Sequence, residues 1–351
     1  MPRPTGLKID TSALHHNLAL IRRLAPHSKT WALVKANAYG HRIDVVLPHL
    51  RTTTGFAVCD VEQGVELRKT GWQGPVLIVD GTYNRSDLYA VEEHTLTLAV
   101  QTEEQLRLLE LARFAKPIYI EVTVANRNGI LGYDPNELRD VIERVKRVEA
   151  IRSTALYGRI DATTKDERKR EVIEFSETVS GLKGDRSYGG SAEIIDQPRA
   201  MPDWVRAGVI LYGASPASAP GTSALGGFLP VMRFVSKVVC IRDVASASTT
   251  GSRWGGARKI GVVACGYADG YPDTAAVGTP VAIDGIVTRV LERVSMDTIV
   301  VDLDPCPGVH VGSEVELWGQ HVSVDLVAAH SGTTASRLLS SVSSRLPLEI
   351  V

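Results

Sequence analysis

The sequence predicts a two-domain α/β protein: an N-terminal (β/α)8 TIM-type barrel over residues 1–225 and a mostly-β domain over 226–351. Three observations carry this. The first part alternates short, continuous apolar runs with amphipathic stretches, the pattern of parallel strands covered on both faces. Roughly eight such β/α units fit before residue 225, which favours a closed barrel over an open sheet. The character then changes at residues 214–221 (ASPASAPG), a linker by composition. Beyond it, β-branched runs separated by turn residues dominate.

In chain order, Lys8-Ile9-Asp10 is a short extended piece, and residues 1–10 are expected to pack with the second domain. Asp10 or Thr11 caps a helix whose Leu14, Leu18, Ile21 and Leu24 share one face. Residues 30–35 (TWALVK) read as a buried strand that ends at a turn, Ala38-Tyr39-Gly40. Strands follow at 55–59, 75–79, 96–100 and 118–122, with helices at 61–68, 102–112 and 136–146. The charged run 165–174 is expected to form the solvated face of a helix continuing to Leu182. Strands of the second domain are expected at 234–239, 259–264, 281–283, 298–302 and 315–318, with a turn at Asp284-Gly285.

Composition narrows the function. The 39 basic and 40 acidic residues leave a net charge of −1, without the cationic surplus a nucleic-acid binder needs. No apolar run approaches the ~20 residues of a membrane span, and the polar, turn-rich N-terminus has no signal-peptide core. Four cysteines (Cys59, Cys240, Cys265, Cys306) lack C-x-x-C spacing, which argues against a zinc framework or a disulfide scaffold and for a reducing cytoplasm. The histidines show no metal-ligand spacing.

Several residues can carry chemistry. Lys35 ends an apolar strand, and C-terminal strand ends form the mouth of a parallel barrel. A lysine sheltered there is primed for Schiff-base chemistry. A lysine snorkelling from a strand end fits the pattern equally well. Tyr267, between Gly266 and Gly270 after a buried strand, is a candidate acid/base, or a packed tyrosine in a hairpin. Gly208, after Arg206, and Ser191, in Gly189-Gly190-Ser191, are weak phosphate-cradle signals. Gly-Gly-Ser is more often a flexible turn. His41 follows the lysine strand; a structural role suits it better than a catalytic one.

Four segments, VKANAYGH (34–41), WVRAGVILYG (204–213), GYADGYP (266–272) and VSMD (294–297), stand in an order and spacing that resemble the alanine racemase family, nearest its bacterial members, from about residue 5 to 349. The resemblance implies a barrel, a β domain and the cofactor pyridoxal 5'-phosphate (PLP). It implies that Lys35 binds PLP and acts as one base. Tyr267 would be the opposing base, supplied across a head-to-tail homodimer. It places Tyr39, Ser191, Gly208 and Val209 at the phosphate, Arg206 beside the pyridine nitrogen, and Met296 near the carboxylate of a small amino-acid substrate. Two bases on opposite faces of a planar adduct racemise Cα without moving the substrate. The activity implied is interconversion of L- and D-alanine, or of a related amino acid, for cell-wall or D-amino-acid metabolism.

Several positions depart from the family. Ile130 stands where an arginine is usual, with Arg127 three residues earlier as a replacement. Thr123 takes the place of a lysine often carbamylated, Arg159 of a histidine, Gly190 of an asparagine, Asp273 of an arginine and Ile350 of a tyrosine. Residues 250–254 replace a Gly-Tyr-Gly element. Arg159 beside Tyr267 would preserve its basicity. Besides an alanine racemase, these changes leave open a PLP enzyme of other specificity or outcome, and a PLP-binding paralogue of little turnover.

Overall fold

A computed structural model describes residues 3–127, 129–197, 201–217, 226–244, 254 and 256–351. The expected linker therefore lies outside the described residues from 218 onward, as do residues 250–253. The described chain forms two compact units, one of Leu18–Lys35 and Leu50–Gly208, the other of Met1–Asn17, Ala36–His49 and Val209–Val351.

The first unit is a closed parallel barrel. Its strands are β2 (Lys29–Leu33), β3 (Gly55–Val58), β4 (Val76–Ile78), β5 (Thr97–Val100), β6 (Ile118–Val124), β7 (Ile151–Gly158), β8 (Asp185–Ser187) and β9 (Trp204–Ala207), with β9 pairing back onto β2. Buried Trp31, Ala57 and Leu77 pack together, with Leu33, Val79 and Trp204 against them. Side-chain caps start the intervening helices: Asp60 accepts from the Gln63 N–H, Asn84 from Asp87, Thr102 from Gln105 and Thr164 from Glu167.

Two expectations change here. The helix that begins at Lys165 ends at Thr178, not Leu182, because the chain turns through Gly181 at φ 77°. Its charged run is also not wholly solvated. Arg168 is buried and pairs with Asp196 of the helix Ser191–Asp196, while donating to the carbonyls of Ala162 (3.2 Å) and Thr163 (2.7 Å).

In the second unit β1 (Gly6–Ile9) runs antiparallel to β10 (Met232–Asp243) and parallel to β16 (Leu348–Ile350). Strands β11 (Lys259–Val263), β12 (Pro280–Ile283), β13 (Ile286–Arg289), β14 (Ile299–Asp302) and β15 (Glu314–Trp318) complete the eight-stranded sheet. Two short helices, Val324–His330 and Ala335–Ser340, are capped by Ser323 and Thr334. Among the described residues no helix is long and apolar enough to cross a membrane.

Candidate active site

Parallel pairing puts every C-terminal strand end of the barrel at one rim. Three adjacent strands deliver candidate groups there. Lys35 follows β2, Ser191 follows β8, and Gly208 follows β9. The Gly208 N–H donates to Ser191 Oγ at 3.3 Å. The Arg206 backbone N–H donates to the Gly189 carbonyl at 2.9 Å, which ties β9 to the serine loop. That loop is not a free turn. Ser191 opens a short helix, and the Glu193 carboxylate reaches back to accept from the Gly190 N–H at 2.7 Å. Burial pushes the Glu193 carboxyl above the usual carboxylate range.

After Lys35 the backbone enters a left-handed turn. Ala36, Asn37, Ala38 and Tyr39 have φ of 52°, 53°, 57° and 50°. Each non-glycine residue there costs about 1–2 kcal/mol, so the surroundings must enforce the turn. In the second unit the chain closes it with a glycine: a Cβ at Gly40 (φ +77°) would lie 2.0 Å from the Leu339 carbonyl oxygen. His41, fully buried, directs Nδ1 at the carbonyls of Ala38 (3.1 Å) and Tyr39 (2.8 Å), and its ring lies 4.5 Å from that of Tyr212. Burial lowers its pKa to about 4, so it stays neutral and structural, donating from Nδ1. Tyr39 lies 5.1 Å from the same Tyr212 ring, and Val209 opens the buried turn Val209–Tyr212.

Inside the barrel, Arg206 on β9 pairs with Glu121 on β6; their side chains are 9% and 2% exposed. The other Glu121 oxygen accepts from Trp31 Nε1 at 2.9 Å. The Arg206 guanidinium also lies over the Tyr157 ring, 3.3 Å from its centroid. Its Nε is buried and has no hydrogen-bond partner. Sequence reasoning missed Glu121 and Tyr157. The signal was present: a carboxylate inside an otherwise apolar parallel strand (IYIEV) needs a buried partner.

In the second unit Tyr267 begins a single helical turn, Tyr267–Asp269, and its side chain is exposed. The turn is anchored from below. Buried Asp269 accepts from the Gly266 N–H (3.0 Å) and pairs with Arg3 (2.8 Å) and Arg345 (3.0 Å). Met296 lies alongside: the Ala268 N–H donates to its carbonyl at 3.1 Å. A Cβ at Gly266 would lie 2.3 Å from that carbonyl oxygen, so the two loops can touch only through a glycine.

At and beside the departing positions, both arginines hold partly exposed ion pairs. Arg127 is committed to Glu174, and Arg159 to Asp161 at 2.8 Å. Ile130 is exposed. The Thr123 hydroxyl is buried without a hydrogen-bond partner.

Comparison with known proteins decides the family. The model of the alanine racemase N-terminal domain matches residues 9–216, and that of its C-terminal domain matches residues 231–350. The chain belongs to the alanine racemase family. It is 42% identical to the alanine racemase of Paraburkholderia phytofirmans and 38% identical to that of Erwinia tasmaniensis, covering 99% of both chains in each case. It superposes on the biosynthetic alanine racemase of Pseudomonas aeruginosa with a TM-score of 0.91 at 33% identity, over 99% of both chains. The alanine racemase of Acinetobacter baumannii gives a TM-score of 0.87 at 30% identity, over 99% of this chain and 100% of that one.

The family is PLP-dependent, and the residues at this barrel rim fit PLP. A buried guanidinium N–H without a partner asks for an acceptor, which an unprotonated pyridine nitrogen is. A hydroxyl and a backbone N–H on adjacent strands suit a phosphate, and the lysine after β2, the next strand of the barrel circuit, suits an aldehyde.

Proposed function

We propose that the chain interconverts L- and D-alanine, with PLP held on Lys35, as a cytoplasmic homodimer whose sites are each completed by Tyr267 of the partner subunit. The observation that carries this reading is the rim itself: Lys35, the Ser191–Gly208 pair and the unpartnered Nε of Arg206 lie on three adjacent strands of one barrel. Whole-length similarity to alanine racemases of several bacteria supports the reaction. All four cysteines are free thiols, which suits a reducing compartment.

PLP, when bound, supplies an electron sink that acidifies the Cα–H of an amino acid. The chain does the rest. Ser191 Oγ and the N–H groups of Gly208 and Val209 bind phosphate, with Tyr39. Arg206 donates Nε–H to the ring nitrogen and, as a guanidinium with no acceptor to offer, leaves that nitrogen unprotonated. Lys35 Nζ takes or returns the Cα proton on one face, and Tyr267 Oη does so on the other. Met296 borders the substrate carboxylate. Asp269 and Arg345 hold Tyr267 from beneath, so the phenol needs no rearrangement to act.

The test is L-alanine in deuterated water. The reading expects D-alanine carrying deuterium at Cα. Tyr267→Phe, which cannot accept a proton, is expected to lower turnover at least ~100-fold while the cofactor stays bound. Bound PLP with no D-alanine, or a Tyr267→Phe variant of full activity, would overturn it.

A further inference from the structure

Among the described residues of β2–β9, Glu121 and Arg206 are the buried charged side chains. Burying an ion pair is not in itself a route to stability, since a well-packed apolar pair serves as well or better. The pair therefore needs a reason. Glu121 is held at both ends: one oxygen by Trp31 Nε1, the other by Arg206 Nη2. The guanidinium is in turn held at Nη2 by this carboxylate and on one face by Tyr157. These contacts leave Nε as its buried donor without a partner.

Among the described residues, Trp31 and Arg206 are the side chains that hydrogen-bond to Glu121. Thr123, two residues along β6 and on the same side of the strand, brings a hydroxyl and no cation. Arg159 pairs with Asp161, outside this group.

We propose that Glu121 is the positioning residue for Arg206, supplying its counter-charge and fixing Nη2 so that Nε is presented to the cofactor's ring nitrogen. This rests on the reading that PLP binds on Lys35 with its ring at Arg206. Trp31 sets the carboxylate, the carboxylate sets the guanidinium, and the guanidinium meets the cofactor. The pair also leaves the ring nitrogen facing a compensated ion pair instead of a lone cation.

The experiment is a double-mutant cycle on the full-length protein, read by the dissociation constant for added PLP and by the pH dependence of the bound cofactor's absorbance. Glu121→Gln keeps the shape and removes the charge. It is expected to raise the PLP dissociation constant about tenfold and to shift the absorbance profile. Glu121→Asp, which retains the charge, is expected to fall between wild type and Glu121→Gln. In the Arg206→Gln background Glu121→Gln is expected to change the constant by less than about twofold, because the residue it acts through is gone. Thermal unfolding of the PLP-free proteins separates loss of fold from loss of binding. Should Glu121→Gln not fold alone, Glu121→Asp is compared in the two Arg206 backgrounds instead. Equal effects in both backgrounds, or an unchanged constant and profile, would overturn the inference alone. Wild-type protein that takes up no PLP would overturn the underlying reading with it.

Discussion

Arg206 and Arg159 belong to the same barrel and both pair with a carboxylate, yet they are different objects. Arg206 is 9% exposed and its partner Glu121 is 2% exposed, whereas Arg159 and Asp161 are 49% and 32% exposed. Water has been replaced around the first pair by Trp31 and Tyr157. Around the second it remains and screens the charges. The contrast shows which arginine the fold has committed itself to. An interior cation must be held by specific partners or cost stability, and such a cation has a fixed donor to offer. A rim cation keeps its freedom and offers little.

The largest effect that separates the two comes from removing the interior cation. Arg206→Ala strands Glu121 without a counter-charge and is expected to cost about 3–5 kcal/mol in urea unfolding; a loss well under 1 kcal/mol would mean the carboxylate finds water. His41 sharpens the comparison from another side, as an interior ring that avoids charge instead of pairing it. Its folded pKa of about 4 lies below the ordinary 6.5, so the unfolded chain binds the proton first. Stability from this ring is intact above about pH 6.5 and falls toward pH 4. The loss between pH 7 and pH 5 is about 2 kcal/mol. A His41→Gln variant is expected to show a correspondingly flatter stability profile over that range; an identical slope would contradict the assignment. The smallest effect is at the rim. Arg159→Ala is expected to shift stability by about 1 kcal/mol or less, and Arg127→Ala to leave the urea midpoint unchanged.

The parts of the site that ride on strand ends were legible in the sequence. Lys35, Ser191 and Gly208 follow apolar runs or glycines, and parallel topology then brings them to one rim. What escaped depends on pairing across the barrel. Glu121 reads as a stray charge until β6 is closed into a circle with β2 and β9. Arg168 reads as one more solvated charge until the helix bearing Asp196 packs against it. The left-handed turn after Lys35 has no glycine before Gly40 to announce it, since contacts outside the turn impose it. The helix Arg85–Glu93 carries few apolar residues, and its Asn84 cap was the available signal.

The most direct test of the account is where PLP attaches. Borohydride reduction of the PLP-loaded protein, followed by peptide mass spectrometry, is expected to place the pyridoxyl group on the peptide containing Lys35, with none after Lys35→Ala. A label on another lysine, or no label on the wild-type protein, would contradict it.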